Sequence, residues 1–273
     1  MMSDSKLTDV HLIERLPEAS STGAPILFVH GAFAGAWCWD EHFMPYFAQR
    51  GHVARAVDLP GRRGRPDFAH LQDFALSDYL EAVLIAIDQF DQPPVLVGHS
   101  MGGQLAWRAS EERDVAGLVL MASVPPTGLA APAMELLVSR PSLFWDVAAI
   151  HAGEAGSIES VQAALFSDTT DKALVEKYAA RMQHESQAAV AGLYLPFMPN
   201  ILSIWGTPIF VQGAEKDSLI PPAHVHWTAS LAGKLAKIYN GMGHGMMLED
   251  GWQSVADEIL AWCVDNDLSE QAV

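Results

Sequence analysis

Gly98-His99-Ser100-Met101-Gly102-Gly103 follows the short apolar run Pro94-Val95-Leu96-Val97 and leads into Gln104-Leu105-Ala106-Trp107-Arg108-Ala109, a stretch of helix formers. A serine at a sharp strand-to-helix junction, with small residues two positions before and after it, has the pattern of a nucleophile elbow. The glycines answer a steric demand. Strand and helix nearly touch there, and a serine held in a strained backbone conformation leaves no room for neighbouring side chains. The turn lifts the serine oxygen clear of the sheet, so Ser100 is the candidate nucleophile.

Working outward, β-rich runs alternate with helical ones. Ile26 to His30, Val53 to Asp58, Val95 to His99, Val115 to Met121, Pro208 to Gln212 and Leu235 to Tyr239 read as strands, and residues 9–16 as one more. Helices are predicted at about 40–50, 74–90, 101–112, 222–232 and 252–265, the last with Asp250 as N-cap and Gln253 three positions on. Such alternation predicts an α/β fold, a mostly parallel sheet with helices on both faces. Residues 125–200 interrupt it, opening at Pro125-Pro126 and closing near Pro196 and Pro199. They read as a helical cap inserted into a core formed by residues 1–124 and 201–273.

A serine needs a base, and the base needs an orienting acid. After the strand ending at Gln212, the loop Gly213-Ala214-Glu215-Lys216-Asp217-Ser218 supplies Asp217 as the acid, with Glu215 its nearby competitor. After the next strand, Gly241-Met242-Gly243-His244-Gly245-Met246 supplies His244 as the base. All carboxyl ends of a parallel sheet open on one edge, where residues distant in sequence converge. Acyl transfer also needs backbone N–H donors for an oxyanion. Met101, at the start of the helix after Ser100, gives one. The loop His30-Gly31-Ala32-Phe33-Ala34-Gly35-Ala36-Trp37-Cys38-Trp39 gives the other, assigned to Phe33 with Ala32 as the alternative. His30 reads as a hydrogen-bonding support for that turn.

The cap is rich in large apolar groups, so its inner face predicts an apolar substrate pocket drawn from Trp37, Phe144, Trp145, Leu165, Phe166 and Met246. A formal charge of −17 argues against a nucleic-acid partner. The basic cluster Arg62-Arg63-Gly64-Arg65 reads as a solvated loop, or as an anion contact near a cleft. Cys38 and Cys263 are the only cysteines, and in a chain of this size they read as two reduced thiols. With no signal-peptide pattern at Met1 to Lys6 and no apolar run long enough to span a membrane, a cytoplasmic location is expected. His224-Val225-His226 lacks clustered ligands, so no metal is expected, and no cofactor is implied. Oligomeric state is not legible in the chain.

His30-Gly31, Asp58-Leu59-Pro60-Gly61, Gly98 to Gly103, Asp217 and Gly243-His244 match, in order and over nearly the whole length, the landmarks of the α/β-hydrolase fold superfamily, which the chain resembles. The HGA…GAWCW-like opening at His30 to Trp39 looks like its small esterase and hydroxynitrile-lyase branch. The lyases' lysine near the histidine is absent, since Gly245 and Met246 follow His244, which speaks against cyanohydrin cleavage. Haloalkane dehalogenases and epoxide hydrolases carry aspartate where Ser100 stands. The resemblance implies a serine hydrolase acting on a small or medium apolar ester. Other classes on the same fold are a cofactor-independent oxygenase, a carbon–carbon bond hydrolase and a non-catalytic ligand-binding member.

Overall fold

The computed structural model describes residue 7 and residues 10–62 and 68–269. Residue 9 of the first predicted strand, the segment Met1 to Lys6, and Arg63, Gly64 and Arg65 of the basic cluster lie outside the described residues.

In chain order the elements are β1 (His11–Arg15), β2 (Ile26–Val29), α1 (Trp37–Asp40), α2 (Phe43–Ala48), β3 (Ala54–Asp58), α3 (Phe68–Leu71), α4 (Leu76–Ile87), β4 (Val95–His99), α5 (Met101–Ser110) and β5 (Gly117–Met121). They continue with α6 (Ala130–Ser139), α7 (Pro141–His151), α8 (Ile158–Leu165), α9 (Lys172–Ala179), α10 (Gln187–Leu193), β6 (Ile209–Ala214), α11 (Pro222–Leu231), β7 (Ala236–Tyr239) and α12 (Trp252–Asp265). Among the described residues the strands form one sheet in the order β1-β3-β2-β4-β5-β6-β7. Only β1 runs antiparallel to its neighbour, pairing His11 with Asp58 and Arg15 with Ala54. The fold is the α/β class expected from the alternation.

The pleat divides the core. Ile26, Phe28, Val95 and Val97 face one layer with Trp39, Phe43, Val255 and Ile259. Leu27, Val29 and Leu96 face the other with Tyr79, Val83, Leu105 and Trp107. Residues of β2 and β4 are buried on both faces, which explains why they read as continuous apolar runs rather than alternating ones. Each large apolar side chain removed from water there contributes roughly 1.5–3 kcal/mol.

Two local expectations are corrected. The helix predicted at about 40–50 is the shorter α2 (Phe43–Ala48), separated at residues 41 and 42 from the short α1 (Trp37–Asp40) before it. Pro45 lacks the N–H that a continuous helix would donate, and its ring would collide with the carbonyl of Glu41. At α12 the N-cap is Gly251, with no side-chain bond to the first turn, so Asp250 does not cap it.

The chain order passes from β2 to β3 on one side and then crosses to β4 on the other, so the direction of winding reverses between β2 and β4. That reversal opens a crevice at the carboxyl ends of those strands. The helices α6 to α10 all fall between β5 and β6.

Candidate active site

Ser100 sits at the mouth of that crevice, between the last residue of β4 and the first of α5, with φ 54° and ψ −118°. A non-glycine residue in that region carries about 1–3 kcal/mol of strain, held only by its surroundings. Here they are backbone bonds to β5 and the segment after it: the Ser100 N–H donates to Met121 O at 3.1 Å, and the Val124 N–H donates to Ser100 O at 3.1 Å. The close approach the glycines permit is literal. A Cβ on Gly98 would lie 2.3 Å from Gly102 O, and one on Gly102 would lie 2.2 Å from Val29 O.

Asp217 and His244 arrive from the loops after β6 and β7. The Asp217 carboxylate is buried, and its two oxygens have separate partners. Oδ1 accepts the N–H groups of Leu219 and Ile220, both at 2.8 Å. Oδ2 is 2.7 Å from His244 Nδ1. The turn thus fixes the carboxylate while leaving one oxygen for the imidazole, whose Nδ1 donates and whose Nε2 is left as an acceptor. Ser100 and His244 line the same cavity. Glu215 faces elsewhere: it is exposed, and its Oε2 accepts the Gly241 N–H at 2.8 Å.

The His244 loop is braced from several directions. His99, next to the serine, donates from Nε2 to His244 O at 2.9 Å. Burial holds the His99 imidazole well below its usual pKa, so it stays neutral in that role. The buried Glu249 accepts the Gly243 N–H at 3.0 Å and the Ser167 N–H at 2.7 Å, and the Gly245 N–H donates to Leu165 O at 2.6 Å. Burial raises the Glu249 pKa.

One of the three candidate oxyanion donors is otherwise engaged. The Phe33 N–H, at a residue with φ 62°, donates to Glu185 Oε2 at 3.1 Å. It is therefore already committed. The N–H groups of Ala32 and Met101 have no protein acceptor among the described residues, and Ala32 lines the cavity. His30 fixes the orientation of the Ala32 N–H. Its Nε2 accepts the Leu59 N–H at 3.2 Å, so its Nδ1 carries the proton and donates to Gly31 O at 2.8 Å. In a trans peptide the carbonyl and the following N–H point in opposite directions, so holding Gly31 O inward turns the Ala32 N–H outward.

Arg62 is not a solvated loop residue. It is buried and pairs with the equally buried Glu185, which lies between α9 and α10. Glu185 also accepts Tyr79 OH at 2.7 Å and the Ser186 N–H at 2.9 Å. Sequence reasoning missed Glu185, which ties the helical segment to the Ala32–Phe33 turn. His224, of the His224-Val225-His226 run, pairs with Glu135 of α6 at 3.0 Å.

Of the expected pocket residues, Trp37, Phe144, Leu165 and Phe166 line the cavity. Trp145 does not. Residues 144, 147, 148 and 151 form the inward face of α7, and Trp145 lies about 100° around the helix from Phe144, 65 % exposed. Met246 is wholly buried in the core layer, and its neighbour Met247 meets the cavity instead. His151, which the sequence reading did not single out, is also on the wall.

Histidines held neutral by desolvation, His30 fully buried and His151 partly, make stability depend on pH. Burial, with help from Arg62, lowers His30 from 6.5 to about 4, and burial lowers His151 to about 4. Between those values the unfolded chain binds protons that the folded chain refuses, so stability is full above about pH 6.5 and is lost as pH falls. The expected loss is on the order of 2 kcal/mol per histidine by pH 5. Urea midpoints should therefore be lower at pH 5 than at pH 7; an equal or higher midpoint at pH 5 contradicts the neutral state of these rings.

A model described as "Alpha/beta hydrolase family" matches residues 26–258. The chain is 29 % identical over 123 residues to a pyrethroid hydrolase of Sphingobium wenxiniae, covering 44 % of this chain and 43 % of that protein. It is 32 % identical over 111 residues to the probable esterase PIR7A of Oryza sativa subsp. indica, covering 39 % and 41 %. The chain thus spans about two fifths of the length of these curated relatives. Among solved structures, a carboxylesterase from the thaumarchaeon Nitrososphaera gargenis superposes with a TM-score of 0.73 at 14 % identity, covering 98 % of both chains. At that identity the likeness is one of fold.

Proposed function

Since the chain belongs to the alpha/beta hydrolase family, we propose that it is a serine esterase whose triad is Ser100, His244 and Asp217, acting on small or medium apolar esters. One observation carries the reading. A strained serine and a histidine whose other nitrogen meets a doubly anchored aspartate open onto one cavity.

In the proposed reaction Ser100 Oγ attacks the ester carbonyl carbon as its proton passes to His244 Nε2. Asp217 holds the ring and stabilises the imidazolium. The N–H groups of Ala32 and Met101 receive the oxyanion. The carbon–oxygen bond to the leaving group then breaks, and His244 returns its proton to the departing alkoxide. Water, deprotonated by His244, attacks the acyl-enzyme and releases the carboxylic acid and Ser100. The scheme needs no metal or cofactor.

We assign residues 125–200, containing α6 to α10, as a cap over this site, because Leu136, Phe144, Leu165 and Leu193 from them line its cavity. A small apolar molecule is the partner this wall suits, and the net charge of −17 does not suit nucleic acid. No helix of the described residues is long and apolar enough to cross a membrane. The unpaired thiols of Cys38 and Cys263 fit a reducing cytoplasm.

The substrate class is tested with p-nitrophenyl esters of matched length. Butyrate and hexanoate should be turned over at least tenfold faster, as kcat/KM, than the ester whose acyl chain ends in a carboxylate, because an unpaired charge costs several kcal/mol to bury against apolar walls. A preference for the carboxylate-bearing ester would contradict the apolar reading.

A further inference from the structure

The proposed mechanism makes no use of His151, the last residue of α7, although it stands on the wall of the same cavity as Ser100 and His244. Its ring lies flat on the Phe33 ring, with centroids 5.5 Å apart and planes 3° from parallel. Phe33 directly follows Ala32, so the imidazole is stacked over the turn that supplies the oxyanion donor. Phe144, Val147 and Ala148 share its face of α7. Neither ring nitrogen has a hydrogen-bond partner among the described residues.

A phenyl ring would stack on Phe33 as well, but only the partly buried imidazole presents polar atoms at this point of an otherwise largely apolar wall. Burial keeps the imidazole neutral at pH 7, against the opposing charge of Glu185. It therefore offers one N–H donor and one acceptor nitrogen, and no charge with which to attract a carboxylate. Once a substrate fills the cavity and displaces solvent, a polar atom left without a partner is costly, so a site built this way favours ligands that satisfy the imidazole over those that cannot.

We propose that His151 is a specificity-determining residue that hydrogen-bonds a neutral polar group, a hydroxyl or carbonyl, carried by the substrate apart from the ester itself. This rests on the esterase reading above and narrows its substrate class from plain apolar esters to apolar esters bearing one such group.

The test compares kcat/KM within two pairs, methyl mandelate against methyl phenylacetate and 2-hydroxyethyl butyrate against propyl butyrate, so that the hydroxyl is placed on either side of the ester. The enzymes are the native protein, His151→Phe and His151→Gln. In at least one pair the ratio of hydroxylated to plain ester should fall about tenfold in His151→Phe, and His151→Gln, which still donates and accepts, should recover part of it. Equal ratios for native protein and His151→Phe in both pairs, with the plain esters still turned over, would overturn the proposal and leave the esterase reading intact. If the native protein cleaves none of the four esters, the esterase reading falls and the proposal falls with it.

Discussion

Ser100→Ala is expected to lower ester turnover by about 10³-fold or more while changing stability by less than about 1 kcal/mol. The substitution removes one oxygen at the cavity wall. The backbone bonds that hold the elbow, from Ser100 N–H to Met121 O and from Val124 N–H to Ser100 O, do not involve the side chain. Alanine meets the same strain at φ 54° that serine does. Activity and stability therefore separate in this variant. Turnover of p-nitrophenyl butyrate and a urea midpoint on the same preparation check both halves, and retained turnover in the purified variant would remove the covalent mechanism.

Asp217→Asn should cost about 10²–10⁴ in rate with little change in shape. The asparagine oxygen can still accept the N–H groups of Leu219 and Ile220, which keeps the turn in place. Its amide nitrogen then faces His244 Nδ1 and donates to it, so the proton moves to Nε2 and the ring can no longer accept one from Ser100. Glu215→Gln should cost far less, because Glu215 is exposed and accepts the Gly241 N–H rather than facing His244. Measuring the ester turnover of both variants at one pH decides between them. Equal losses, or a larger one for Glu215→Gln, would contradict the assignment of Asp217.

The residues that converge on the crevice were legible because each announces itself locally. Ser100 needs glycines for close approach, and Asp217 and His244 stand in loops directly after strand-like runs, so a parallel sheet must bring them to one edge. Which N–H of the turn at residues 32 and 33 is left without a protein acceptor was not legible. Choosing Ala32 over Phe33 depends on Glu185, 152 positions away from Phe33 and in no recognisable pattern with it. Arg62 likewise sat in a run of arginines whose composition suggests solvent, and only burial opposite Glu185 distinguishes it. On α7 the apolar run Leu143-Phe144-Trp145 carries no sign of which ring turns inward. The helix direction decides, placing Phe144 and His151 on the wall and Trp145 in solvent. The break between α1 and α2 was readable in principle, since Pro45 forbids a continuous helix.

The central claim is a nucleophilic Ser100 activated by His244, and active-site labelling reads it without assuming any natural substrate. Native protein treated with a fluorophosphonate should gain one adduct, mapped by mass spectrometry to Ser100, and His244→Ala should label much more slowly because the general base is gone. An adduct on a different residue, or labelling as fast in His244→Ala as in the native protein, would contradict it.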